Sequence, residues 1–435
     1  MKKLGILLAL VMILLLATTP MLLGLVIDDA STQARLREIT GQPTLELDTR
    51  SGWFSSIGTV QIDAPVIAGA NYPQARIDAD LEISHGPLLW TDEGLKIGLA
   101  WVTVHPVLQG LPESTLAQAL FDSNSSSRLH LLVSFDASAQ GQLHNEAFAY
   151  TYGPQRYEFT DLRVDVDIDR NQQATVTATS SHIDIHSPLS VISLEQADLE
   201  LQTARLDRSP LPGSLGIDIA QLQMNSEQRL TMRGISIDYV AREEPGAENG
   251  PPSLYLQQQL QVASIESGTP LTALNIETEL KGIDMEIIAA YMSAASDIAV
   301  APRTNNLGQE HVFVTMMQSA FEQSSRAQFD AWGGTHSAEL DLLWPGEPTL
   351  RTLDDLYIGL YLQKMNAQLN ISADAEALAT SPFAAMVRNY SAQGILPQNN
   401  GFIEITASLQ GGSLNLNGQS INLQPFLNLG IARTP

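Results

Sequence analysis

The stretch Leu162-Arg163-Val164-Asp165-Val166-Asp167-Ile168 alternates strictly between apolar and charged residues. Successive side chains of a β-strand point to opposite faces, so a period of two predicts a strand with one apolar and one solvated face. Antiparallel sheets are often covered on one face only, whereas the strands of a doubly covered parallel sheet are continuous apolar runs. The stretch therefore predicts an antiparallel sheet.

The same alternation recurs on both sides of this stretch, in residues 77–83, 215–222, 254–262 and 369–375. Helical spacing of apolar residues is found mainly in the second half, in residues 283–295, 311–323 and 381–390. We therefore predict a β-dominated α+β fold, in which a long antiparallel meandering sheet is accompanied by helices mainly in its second half.

Two apolar stripes define the clearest helices. In 311–323 the residues Phe313, Met317 and Phe321 lie four apart, which predicts one face packed in the core. In 381–390 Ser381 is a candidate cap, Pro382 suits the first helical position, and the stripe Phe383, Met386, Val387 and Tyr390 is also interpreted as core.

Turn residues suggest how the chain is divided. Residues 242–252 contain two glycines and three prolines, so we predict a loop between a β-rich half, 28–241, and an α+β half, 253–435. Near the end Gly411-Gly412 separates two alternating runs, which is typical of a β-hairpin, because glycine accepts the positive φ of tight turns. We expect this turn to matter more for folding than any histidine.

The N-terminus predicts a membrane anchor. Residues 4–27 carry no charge, and as a helix they would extend for about 36 Å, enough to cross a hydrocarbon core of about 30 Å. Two lysines precede the run and two aspartates follow it. Residues 1–3 are therefore predicted to be a cytoplasmic stub, and the residues after the anchor are predicted to be periplasmic. The alternative is a cleaved signal peptide ending at 17–19, which the following Pro20 disfavours.

Composition restricts the partners. The chain has 48 acidic and 23 basic residues and a formal charge of −25 at pH 7, which disfavours nucleic acid and other polyanions. It has no cysteine, so no disulfide can stabilise a domain in an oxidising compartment, and burial of a core has to suffice.

Motifs for catalysis are missing from the sequence: there is no G-x-S-x-G, P-loop, G-x-G-x-x-G, H-E-x-x-H or C-x-x-C. We therefore predict no catalytic residue, no cofactor and no enzyme. The best metal candidate is one face of a predicted strand, with His182, Asp184 and His186. We favour the alternative that this is the solvated face of an amphipathic strand, and we predict no bound metal.

Two further motifs are interpreted as structural. His85-Gly86-Pro87 follows an alternating strand and predicts a sharp turn, whereas a catalytic histidine would need a nucleophile beside it. Trp53-Phe54 follows a glycine and is interpreted as a packing element rather than as a stacking platform.

Four short motifs in this order resemble the YdgA-like family of bacterial envelope proteins, a domain of unknown function. They are Arg50-Ser51-Gly52-Trp53-Phe54-Ser55-Ser56, Ile83-Ser84-His85-Gly86-Pro87-Leu88, Tyr390-Ser391-Ala392-Gln393-Gly394-Ile395-Leu396 and Gly411-Gly412-Ser413-Leu414-Asn415-Leu416-Asn417-Gly418. The resemblance implies a Gram-negative inner membrane, a periplasmic domain and self-association as a homodimer. The final strands are also similar, more weakly, to the ends of AsmA-like envelope proteins, which build long curved sheets.

Three functions follow from these observations as hypotheses. The first is a non-enzymatic scaffold or interaction protein of the cell envelope. The second is a lipid-binding or lipid-transfer protein with an apolar groove, which would be favoured if the apolar face of the sheet were left open. The third is an unrecognised periplasmic hydrolase, which would require a histidine in a concave pocket beside carboxylates.

Overall fold

The computed structural model describes residues 46–423 except 53, 64–75, 92–93, 110–127, 137, 153, 172, 206–208, 227–228, 246–251, 268–269, 286, 288–305 and 353–361. The chain divides into two compact units, Met1–Pro210 and Leu211–Pro435. The division falls before the predicted boundary at 242–252. The first three residues of that predicted loop belong to a strand that ends at Glu244.

The first unit is an antiparallel meander. Its strands are β1 (Glu46–Ser51), β2 (Ser55–Asp63), β3 (Arg76–His85), β4 (Leu88–Thr91), β5 (Gly94–Ile97), β6 (Ala100–Gln109), β7 (Arg128–Val133), β8 (Ala139–Tyr152), β9 (Gln155–Ile168), β10 (Ala174–His186) and β11 (Val191–Arg205). Each strand pairs with the next along the chain, except that β3 pairs with β6 and β4–β5 forms a separate hairpin.

The described part of the second unit continues the antiparallel pattern, with helices inserted between some of its strands. Its strands are β12 (Ser209–Asn225), β13 (Arg229–Glu244), β14 (Ser253–Glu266), β15 (Leu271–Asp284), β16 (Phe321–Ala331), β17 (Gly334–Trp344), β18 (Asn366–Asp374), β19 (Gln398–Asn399), β20 (Phe402–Gln410), β21 (Ser413–Leu416) and β22 (Gln419–Asn422). The helices whose two ends both lie in the described residues are α1 (Asn306–Gln318), α2 (Ala375–Thr380) and α3 (Ala384–Ala392). All strand pairs are antiparallel, and β18 pairs with β20.

The prediction of a β-dominated, antiparallel fold with few helices is therefore confirmed. The opening stretch 162–168 lies in β9, and its alternation matches the two faces of the sheet. Because most strands pair with a neighbour in sequence, hairpin loops suffice to connect most of the ladder.

Helix α1 covers the main core of the second unit. Met317 on this helix and Phe321 at the start of β16 are buried in one cluster with Trp344 of β17. The Trp344 Nε1 donates a hydrogen bond to the Met317 carbonyl at 2.8 Å. The predicted helix 311–323 is thus wrong at its end: the helix stops at Gln318, because Phe321 pairs with Trp344 in the sheet.

The predicted helix 381–390 is corrected in two respects. Ser381 lies at the C-terminal end of α2, where its hydroxyl donates to the Leu378 carbonyl at 2.7 Å. Its Oγ also accepts a hydrogen bond from the Phe383 N–H at 3.1 Å, as the predicted cap would, but α3 begins only at Ala384. The stripe interpreted as core is exposed, with Phe383, Met386 and Tyr390 each at least 40% accessible. The reason is that α2 contacts β17 and β18, whereas α3 packs mainly on α2.

The predicted anchor 4–27 and stub 1–3 lie outside the described residues. Within the described ranges, no helix is long and apolar enough to cross a membrane. The predicted helix 283–295 also falls mostly outside them, and its first residue, Ile283, belongs to β15.

Candidate functional site

The register of the first unit aligns apolar residues into two rows that cross seven strands on the same side. One row runs through Leu81, Val104, Leu129, Leu143, Val164, Ala178 and Leu199, and the other through Ile83, Val102, Leu131, Gly141, Val166, Val176 and Leu201. We call this surface the apolar face. At about 4.8 Å between strands, each row is about 29 Å long.

The apolar face is well covered at one end and half-open at the other. Near β3 and β6, Leu81, Ile83 and Ala100 form a buried cluster. On β9 to β11 the larger side chains of both rows, such as Val166, remain half-buried. A second layer packed over the middle of a sheet would bury such residues completely, so the described residues leave this part of the face partly open.

The opposite face of the same strands is polar. Asp165 accepts a hydrogen bond from the Gln142 amide at 2.8 Å, and Asp167 accepts one from Gln140 at 3.4 Å. On β8 to β10 the sheet is therefore amphipathic, and the acidic groups of these strands lie away from the apolar rows.

The β4–β5 hairpin presents a second apolar surface. Leu89 is buried, but its neighbours Leu88 and Trp90 point outward, and Trp90 is 77% exposed. They pair across the hairpin with Ile97 and Leu95, which are also exposed. A cavity of about 300 Å³ lies beside this hairpin and is lined by Phe54, Ser55, Ser84, His85, Pro87, Leu88, Leu89 and Trp90.

His85 lines this cavity and contacts a serine. Its Nε2 is 2.8 Å from the Ser56 Oγ, and its backbone N–H donates to the Phe54 carbonyl at 2.8 Å. The two side chains are 2% and 1% exposed, so a substrate could not reach the hydroxyl in this arrangement. The pair connects β2 to β3, and Gly86, with φ of +128°, then turns the chain through Pro87 into β4.

The structure brings the three metal candidates together on the polar side of β10. The His182 Nε2 is 3.0 Å from the Asp184 Oδ2. One ligand atom each from Asp184, His186 and Glu158 of β9 lie within 4.8 Å of one another. Sequence reasoning missed Glu158, because nothing in the sequence says which residue of a neighbouring strand faces Asp184.

The environment of Asp184 favours its charged form. Burial raises the pKa of this carboxyl, but hydrogen bonds from the Ser193 hydroxyl and from His182 lower it, and the result is a pKa below the usual value. Asp184 is therefore an anion at neutral pH, with one oxygen held by each partner.

The remaining candidates are located as follows. Phe54 is 61% exposed, and Trp53 lies outside the described residues. Gly411 and Gly412 occupy the two central positions of the β20–β21 turn, with φ of +55° and +79°.

The comparisons with known proteins identify one family. Residues 1–331 match the family described as "Bacterial protein of unknown function (DUF945)". No curated protein and no solved structure matches the chain.

Proposed function

Since the chain belongs to the DUF945 family of bacterial proteins of unknown function, we propose its function from its own surfaces: it binds lipid on the apolar face of its first unit. We further propose that it is YdgA-like, that residues 4–27 anchor it in the inner membrane, and that its main part is periplasmic. The anchor would hold the apolar face close to a source of lipid.

The observation that carries this proposal is the half-open apolar face on β9 to β11. The valine and leucine side chains there are partly exposed, and a ligand that covers them gains about 25 cal/mol for each Å² of apolar area it removes from water. An open apolar face is the feature that favours lipid binding among the hypotheses drawn from the sequence. It therefore supports lipid binding over a non-enzymatic scaffold.

The chemistry of the rows supports lipid rather than protein as the occupant. Both rows consist of aliphatic residues and one glycine, so they offer no side chain that donates or accepts a hydrogen bond. Protein interfaces normally mix apolar contacts with about one hydrogen bond per 100–200 Å².

The β4–β5 hairpin supports contact with a membrane surface. Trp90, Leu88 and Ile97 are exposed together, and aromatic and aliphatic side chains of this kind partition into the interfacial region of a bilayer. The hairpin pairs Leu88 with Ile97, so one side of it is continuously apolar.

A non-enzymatic scaffold remains the second candidate, and the exposed face of α3 is the observation that favours it. Phe383, Met386 and Tyr390 on this helix could bind an envelope protein or a second copy of the chain as a homodimer. The hydrolase hypothesis gains no support from the Ser56–His85 pair, because both side chains are buried.

Native mass spectrometry of the full chain in detergent, with identification of the bound lipids, tests the proposal. We expect phospholipid bound to the wild type, and a clear loss of it in Val164→Asp, which puts a charge on the apolar face. The matched control is Arg163→Asp, which puts the same charge on the exposed opposite face and should retain the lipid. Equal lipid binding by the two variants would contradict the proposal. That result is expected if the lipid is bound only by the anchor, because neither substitution changes the anchor.

A further inference from the structure

Glu158 and Asp184 stand directly opposite each other on β9 and β10. Like charges in this position repel, because directly opposed side chains have Cβ atoms only about 4.5–5.5 Å apart. The acidic residues that stand in register elsewhere on these strands avoid this arrangement: Asp165 faces Gln142 and Thr177, and Asp167 faces Gln140 and Thr175. The opposed carboxylates therefore need cationic or hydrogen-bonding groups beside them, and Arg156, at 2.8 Å from Glu158, supplies only one positive charge for the two.

We propose that Glu158, Asp184 and His186 bind a divalent transition-metal cation, with Zn²⁺ as the best match. Their ligand atoms already lie within 4.8 Å of one another, and zinc at about 2.0–2.2 Å from each would bring them to about 3.4 Å. The side chains of Glu158 and His186 are about 40% exposed, so modest rotations suffice. An imidazole beside two carboxylates suits zinc better than calcium, which takes six to eight oxygen ligands.

The neighbouring residues orient the two carboxylates. The Ser193 hydroxyl donates to one oxygen of Asp184, and His182 holds the other at 3.0 Å. The Arg156 Nε is 2.8 Å from the Glu158 Oε1, which leaves Oε2 on the side of His186 at 3.8 Å from its Nε2. Groups that orient ligands in this way typically contribute 10–100-fold to metal affinity.

The chain supplies a matched control in His144 and Asp161. The His144 Nε2 is 3.0 Å from the Asp161 Oδ1, and both side chains are exposed on the same unit. In the described part of the chain no third metal ligand joins this pair. If any surface histidine beside a carboxylate bound zinc, substitution of His144 would weaken zinc binding as much as substitution of His186. If zinc binds at the proposed site, only the substitution of His186 weakens it.

The test is isothermal titration of ZnCl₂ into the full chain, purified in detergent without a histidine tag and stripped with a chelator. We expect the wild type to bind one Zn²⁺ per chain. Loss of a ligand, in His186→Ala or in the isosteric Glu158→Gln, should weaken binding at least about tenfold, and loss of the orienting residue, in His182→Ala, should weaken it about tenfold. Wild-type affinity is expected in His144→Ala. Absence of stoichiometric binding, or equal affinities of the wild type and His186→Ala, would overturn the proposal.

Discussion

Substitution of Gly412 by valine should destabilise the second unit through the backbone alone. Gly412 has φ of +79°, and an added Cβ would meet nothing closer than the Gln363 side chain at 3.5 Å, an ordinary contact. The penalty therefore comes from forcing a β-branched residue into the left-handed region, about 1–3 kcal/mol. For a unit of this size, that lowers the unfolding temperature by roughly 2–12 °C.

The effect should be specific to the turn. Gly411 and Gly412 both have positive φ, as the tightest hairpin turns require, and they set the register of Leu409 against Leu414. The single substitution Gly412→Asn should be much less destabilising than Gly412→Val, because asparagine tolerates the left-handed region better than other non-glycine residues.

The matched control is Gly216→Val in β12 of the same unit. An added Cβ there has the Asp238 carboxylate oxygen at 3.7 Å as its nearest neighbour, and valine suits a strand. Thermal unfolding followed by circular dichroism should show Gly412→Val melting well below Gly216→Val. If the two variants melt together, the turn does not constrain the register and the reasoning is refuted.

Two further predictions concern burial. His85→Ala should cost the first unit about 1–3 kcal/mol in urea unfolding, because it leaves the buried Ser56 hydroxyl without that hydrogen bond. An unfolding free energy equal to the wild type would show that the pair is not structural. In the second unit Met317→Ala should cost about 2–5 kcal/mol, since Met317 is buried, whereas Met386→Ala should change stability by no more than about 0.5 kcal/mol. A comparable loss in Met386→Ala would show that α3 is covered.

Much of the fold was predictable from local patterns. The alternation in 162–168 predicts a strand whose apolar residues share a face, and the glycine pair at 411–412 predicts the turn of a hairpin. Both features depend on residues that are close together in the sequence, so they can be predicted without knowing which elements pair.

The features that were not predictable depend on which elements meet. The repulsion between Glu158 and Asp184 exists only because β9 and β10 pair in one register. The α3 stripe has the spacing of a core face, yet α2 occupies the position on the sheet. His85 was expected to matter less than the glycine turn, but its burial against Ser56 makes the two comparable in expected effect.

Photo-crosslinking of the full chain in native membranes tests lipid binding most directly. A diazirine amino acid at Val166 would lie on the apolar face, and one at Asp167, the next residue, would lie on the exposed opposite face. The proposed function predicts a covalent phospholipid adduct at position 166 and none at position 167. An adduct to protein at position 166, or equal lipid labelling at both positions, would contradict it.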